Sequence, residues 1–135
     1  AVAGARHLPL ATSSIDLALC IFSPSTDHEV ARVLRNGGHY LEVGPARRHL
    51  WQLKAALYDQ PREHGELRRS IEGCTLAQDG EVCYDKQLNS SQLQALVAAT
   101  PFAFGGHREK KAELLEQTAF SVTMAFSWRL FTLSK

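Results

Sequence analysis

The stretch from Ile15 to Leu50, IDLALCIFSPSTDHEVARVLRNGGHYLEVGPARRHL, constrains this chain more than any other. Ile15 to Phe22 is apolar at nearly every position, the pattern of a strand buried on both faces in a parallel sheet. Ser23, Pro24 and Ser25 stop it. Thr26-Asp27-His28-Glu29 has capping-box spacing, in which the hydroxyl and the glutamate satisfy free N–H groups at a helix start. Val30, Val33 and Leu34 then share one helical face, and Gly37-Gly38 is expected to supply the left-handed exit. His39 to Val43 returns as a strand that Gly44-Pro45 ends. A right-handed crossover puts the carboxyl ends of both strands on one edge of the sheet, where ligands bind in open α/β sheets. The loops Phe22 to Ser25 and Gly44 to His49 are therefore expected to face one crevice.

Composition narrows the class. The 135 residues suffice for one domain with a modest core, and a hydrophobic share of 44% is ordinary for a globular chain. A net charge of +1 gives no bulk attraction for nucleic acid, so any basic surface must be local. No apolar run approaches membrane-spanning length, so no membrane partner is expected. Cys20, Cys74 and Cys83 lack CxxC spacing and read as free thiols in a reducing cytoplasm. The six histidines show no metal-ligand spacing, so no metal is assigned.

The chain opens on Ala1, with Val2 to Pro9 read as a strand end entering a loop. No glycine-rich cofactor loop precedes the first full strand, so the chain reads as the second half of a larger unit. Arg48 to Tyr58 is expected to be helical, and Gln60 to Arg69 a polar surface loop. Ser70 to Leu88 reads either as a hairpin turning at Asp79-Gly80 or as one long strand with a bulge. A helix capped by Asn89 or Ser90 runs to Pro101, and a charged helix spans Arg108 to Gln117. Phe120 to Leu130 alternates, with Phe120, Val122, Met124, Phe126, Trp128 and Leu130 on one face, which suggests a closing antiparallel strand.

Parallel strands followed by an antiparallel terminal strand resemble the second half of the Rossmann-like class I methyltransferase fold, an α/β fold that binds S-adenosylmethionine. The residues carry the comparison. Ala3-Gly4-Ala5-Arg6-His7-Leu8-Pro9 is similar to the family segment beside the adenine ring. The S-x-D-x strand start at Ser14 to Leu17 and the R-V-L-x-x-G-G run from Arg32 to Gly38 follow the same pattern. Pro45-Ala46-Arg47-Arg48-His49-Leu50, then Leu53-Lys54, looks like the G-P-x-H-L-x-x-L-K pattern of the bacterial 23S rRNA (guanine-N1)-methyltransferases. Gly73 to Gln78, Glu81 to Tyr84 and Leu96 to Phe104 resemble stretches of the same family. The resemblance covers essentially the whole chain and only the C-terminal half of such an enzyme. The family's N-terminal four-cysteine zinc module and glycine-rich cofactor loop have no counterpart among these residues, so any zinc belongs to that other region.

The resemblance implies S-adenosylmethionine as cofactor and 23S rRNA as substrate. By this reading His49 contacts the cofactor through a neutral imidazole donating to its carboxylate or a ribose hydroxyl; the ordinary alternative is an exposed loop histidine. Ala3 and Gly4 would lie against adenine, where small residues let a flat ring approach. Phe22 would line the cofactor site, or else sit in the core. Ser23 and Pro24 would lie between cofactor and acceptor base. Arg47, Arg48 and Lys54 form a compact basic group suited to RNA phosphate, against a default of solvated surface charge. Phe102, Phe104 and Trp128 suit either base stacking or the core. No catalytic base can be named.

Two rivals share these residues. One is a class I methyltransferase acting on a small molecule. The other is a folded fragment without chemistry, pairing as a homodimer through the open strand edge beside Ile15 to Phe22.

Overall fold

The computed structural model describes residues 3–134, so Val2, expected in a strand end, lies outside the described residues. Element order is β1 (Ile15–Ile21), α1 (Asp27–Val33), β2 (Leu34–Pro45), α2 (Trp51–Leu57), β3 (Cys74–Asn89), α3 (Ser90–Ala98), a 3-10 turn (Pro101–Ala103), α4 (Arg108–Leu115) and β4 (Ala119–Leu133). The sheet order is β1-β2-β4-β3, with β1 parallel to β2 and β4 antiparallel to β2. The expected β-α-β unit and the antiparallel closing strand are both present. The open alternative over residues 70–88 resolves as one long strand, because Asp79-Gly80 runs straight through β3.

The chain divides into two compact units. The first comprises Ala1–Ala46, Glu66–Glu81 and Phe126–Lys135. Its core gathers Cys20, Val30, Leu34, Tyr40, Ile71, Phe131 and Leu133. The second comprises Arg47–Gly65 and Val82–Ala125, with a core of Leu50, Leu53, Leu57, Leu88, Leu93, Val97, Leu114 and Val122. β3 and β4 contribute one half to each unit.

In the first unit three local expectations give way to long-range contacts. The Thr26 side chain makes no cap bond; its hydroxyl donates to the Ala5 carbonyl at 3.2 Å. Glu29 turns away from the helix start to accept the Leu8 N–H at 2.7 Å and to pair with Arg32. That pairing with Arg32, then the Leu8 N–H, holds the Glu29 carboxyl down at about 2. Helix α1 also ends at Val33, so Gly37-Gly38 is not its exit. Leu34 already pairs with Ile15, and the next partners are Leu17 and His39, so residues 35–38 form an excursion within β2. Gly37 takes the left-handed turn there (φ +76°), and a Cβ on Gly38 would come within 2.9 Å of the Arg35 carbonyl.

β1 lies at the edge of the sheet, and Leu17, Leu19 and Ile21 are each half or more exposed. A strand apolar at nearly every position was expected to be buried on both faces; here only Cys20 of β1 is buried. β4 departs from its expected face as well. Phe120, Val122 and Met124 pack on the second unit's core, as the alternation implies. Beyond them the buried residues are Ala125, Arg129, Phe131 and Leu133, so Trp128 and Leu130 are only partly covered. The buried parity shifts by one between Val122 and Ala125, where the strand leaves one core for the other. In the second unit Asn89 caps α3 with a full capping box, its side chain accepting the Gln92 N–H at 2.9 Å while Gln92 returns to the Asn89 N–H. Helix α2 starts at Trp51, three residues later than expected.

Candidate functional site

The first unit holds a cleft of about 620 Å³ along the carboxyl-terminal half of β1 and the loop that follows it. Ala3, Ala5, Ala18, Ser23 and Pro24 line it with small side chains, and Ser25 and Tyr40 bring hydroxyls to it. Thus Ala3, Ser23 and Pro24, three of the positions singled out in the sequence, meet in one cavity. Gly4 is exposed nearby in sequence, and a Cβ there would find nothing within 4 Å. Phe22 closes β1 in the left-handed region (φ 49°), which costs a non-glycine residue of order 1 kcal/mol or more. Its N–H still bonds the Val43 carbonyl at 2.9 Å, and its ring meets Phe126 edge-on at 5.9 Å. Phe22 is 52% exposed, so it is not the core residue that its apolar neighbours suggested.

Joined to this cleft through Ser25 and Tyr40 is a polar knot that sequence reasoning missed. Arg68 pairs with Asp27 and with Glu42 (3.3 Å), donates to Ser25 Oγ at 2.7 Å, and reaches Tyr40 Oη at 3.4 Å. Ser25 Oγ and Tyr40 Oη are 2.7 Å apart. Burial pushes the Tyr40 phenol up to about 12, so it stays a neutral donor. Buried Arg129 donates to the carbonyls of Leu67 and Arg68, at 2.9 Å for the latter, and so ties down the segment that carries Arg68. The polar loop expected over residues 60–69 is irregular as read, but its end is anchored. Nothing local distinguishes Arg68 from Arg69 beside it; only their partners do.

The second unit holds the other four positions. Arg47 is exposed and pairs with Glu63 at 2.9 Å. Arg48 lies over the Trp51 ring at 4.9 Å. Lys54 Nζ donates to the Arg62 carbonyl at 2.8 Å, and partial burial pulls its pKa down. His49 is buried, which removes the exposed-loop reading. Leu50 follows it in the left-handed region (φ 56°) and donates its N–H to the Thr123 carbonyl, which holds the His49 turn in place. The His49 Nδ1 accepts the Ala125 N–H at 3.2 Å, so the neutral ring carries its proton on Nε2.

His64 was not singled out from the sequence, where it stands in a polar run without a partner at helical spacing. The fold brings its ring to 6.0 Å from that of His49, and its Nε2 is buried without a hydrogen-bond partner among the described residues. Burial lowers the pKa of both rings, with the neighbouring positive charges adding to the effect. Because both native values lie below 6.5, the unfolded chain takes up protons first as pH falls. The stability contributed by the neutral pair is complete above about 6.5 and is lost as pH drops toward the native values. We expect the melting temperature to fall from about pH 7 to about pH 5, and to fall less in the His49→Gln/His64→Gln variant. Parallel curves for the two proteins would contradict this.

No family model matches the chain. It is 29% identical over 129 residues to YxjB of Bacillus subtilis (strain 168), a protein whose name provisionally assigns it as a 23S rRNA (guanine-N(1)-)-methyltransferase. The match takes in 92% of this chain and 46% of YxjB, so the chain spans about half the length of that relative. Among solved structures, a protein of Bacillus halodurans C-125 provisionally named a methyltransferase superposes with a TM-score of 0.53 at 14% identity, over 98% of this chain and 76% of that one. The YcgJ protein of Bacillus subtilis superposes with a TM-score of 0.50 at 12% identity, over 98% of this chain and 70% of that one. The resemblance read from the residues is thereby borne out: this chain has the class I methyltransferase fold and is similar in sequence to a protein provisionally named as a 23S rRNA (guanine-N1)-methyltransferase.

Proposed function

We propose that this chain is the C-terminal part of a cytoplasmic methyltransferase that carries a methyl group from S-adenosylmethionine to N1 of a guanine in a 23S rRNA hairpin loop. The observation that carries the reading is the sequence match to YxjB, which runs through 92% of the chain on a methyltransferase fold.

The residues present fit such a cofactor. The first unit's cleft falls within the ~300–1,000 Å³ of ligand pockets, and its small side chains leave room for a flat ring. Ala3 and Gly4 would lie against adenine, Phe22 would border the cofactor, and Ser23 and Pro24 would border the acceptor base. In the second unit, His49 is by the resemblance the candidate for a cofactor contact through its imidazole. When bound, S-adenosylmethionine supplies a methyl group already activated on a sulfonium. The protein's part is then alignment and exclusion of water. The guanine N1–H proton must also leave as the N1–methyl bond forms and the sulfonium–methyl bond breaks, and no residue is assigned as its acceptor. Arg48 and Lys54, which have no carboxylate partner among the described residues, and Arg47, shared with Glu63, would meet RNA phosphates. The guanine has to leave any stack to be reached.

Calorimetric titration of the chain with S-adenosylmethionine tests the cofactor assignment. Saturable binding is expected, weakened about tenfold in His49→Ala, the usual scale for losing one hydrogen-bond partner. A folded chain that takes up no S-adenosylmethionine would remove the cofactor roles assigned to these residues.

A further inference from the structure

The second unit contains a further concavity, of about 330 Å³, that shares only Lys54 with the site described above. Lys54, Tyr58, Gln60, Arg62 and Phe102 line it. Three observations set its chemistry. Tyr58 and Phe102 pack one side on the core of this unit and turn the other to the cleft, their rings 6.1 Å apart and inclined at 61°. The nearby acids are engaged elsewhere: Asp59 holds His107 at 2.9 Å and Lys110 at 2.5 Å, and Glu63 holds Arg47. Lys54 and Arg62 therefore face the cleft with no carboxylate partner among the described residues. Among the described residues Lys54 donates to the Arg62 carbonyl alone, and it is partly desolvated.

We infer that this cleft binds one unpaired nucleotide of a single-stranded RNA segment, its base stacked on Phe102 and edged by Tyr58, and its phosphate held by Lys54 and Arg62. Aromatic faces accept any base by stacking, and two cations without a counter-ion suit a phosphodiester. Gln60 is the one cleft side chain with an amide, which can both donate to and accept from a base edge. Gly105 leaves room for the Tyr58 hydroxyl, since a Cβ there would come within 2.5 Å of it. The volume is at the small end for ligand clefts, about right for one nucleotide and too small for a folded duplex end. The inference rests on the RNA-substrate reading and adds to it a nucleotide beside the one that is methylated.

Fluorescence anisotropy with a short labelled single-stranded oligoribonucleotide tests this on the chain, its variants and an abasic version of the same oligonucleotide. Phe102→Leu is expected to weaken binding about tenfold, and removing the bases should cost the unmodified chain about the same while costing Phe102→Leu little more. Arg62→Gln, at an exposed position where folding is not at risk, should weaken binding and lower the salt dependence by about 0.7 in log–log slope. Phe104→Leu, at an aromatic that is 96% exposed and outside the cleft, should change nothing. Guanosine monophosphate should compete far more weakly than the oligonucleotide; equal competition would mean a free-nucleotide site and overturn the assignment to RNA. Wild-type affinity in Phe102→Leu together with an unchanged slope in Arg62→Gln, or no saturable RNA binding at all, would also overturn it. Cleft-dependent RNA binding in a chain that ignores S-adenosylmethionine would leave this inference standing while removing the cofactor half of the proposed function.

Discussion

Phe131→Ala is expected to lower stability by about 3–5 kcal/mol, which in a small domain is a large part of the whole. Phe131 is fully buried at the centre of the first unit's core, where its ring lies 6.3 Å from that of Tyr40. Alanine would remove most of an aromatic side chain from a place where β2 and β4 pair directly, Tyr40 opposite Phe131. The strands on either side are hydrogen-bonded in register and cannot close the space without breaking that ladder. Urea unfolding would show a much lower midpoint, or a chain already unfolded in buffer. A loss below about 1 kcal/mol would mean that the core collapses around the gap, contrary to the packing described.

Arg129→Met should cost about 2 kcal/mol and loosen residues 66–73 specifically. Arg129 is buried, yet its guanidinium meets no carboxylate among the described residues; it donates to the carbonyls of Leu67 and Arg68. Methionine keeps much of the apolar stem, so packing changes little, while two carbonyls lose their donor. Arg68 hangs from this segment, and with it the contacts to Ser25, Tyr40, Asp27 and Glu42. Amide hydrogen exchange should rise across residues 66–73 while the second unit keeps its protection. The competing outcome is a neutral or stabilising substitution, which occurs when desolvating a buried charge costs more than its hydrogen bonds return.

These two residues also mark the limit of what periodicity can show. The alternation over residues 120–130 locates β4 and makes it a strand with two unlike faces. It cannot say which face is buried at each point, because the strand serves two cores and the buried parity shifts between Val122 and Ala125. An arginine at a buried position then reads as a surface residue. His49 was legible through its neighbours, since the G-P-x-H-L-like run marks a histidine at a helix start. His64, 6.0 Å from it, was not, because no local pattern relates two residues joined only by the fold.

The sequence by itself determined what depends on near neighbours: the β-α-β order, the Asn89 cap, the closing antiparallel strand, and a family resemblance borne by short motifs. Each follows from propensities and hydrogen bonds spanning a few residues, or from residues adjacent in the chain. Only the tertiary structure decided the rest. It turned Glu29 from a cap into the acceptor for Leu8, which lies 21 residues away. It ended α1 before the glycines, left the apolar face of β1 open, and joined Arg68 to Tyr40, 28 residues away. A charged or polar side chain takes the partner that best satisfies it once the chain has closed on itself. That choice depends on distances set by the whole fold and not by the chain on either side.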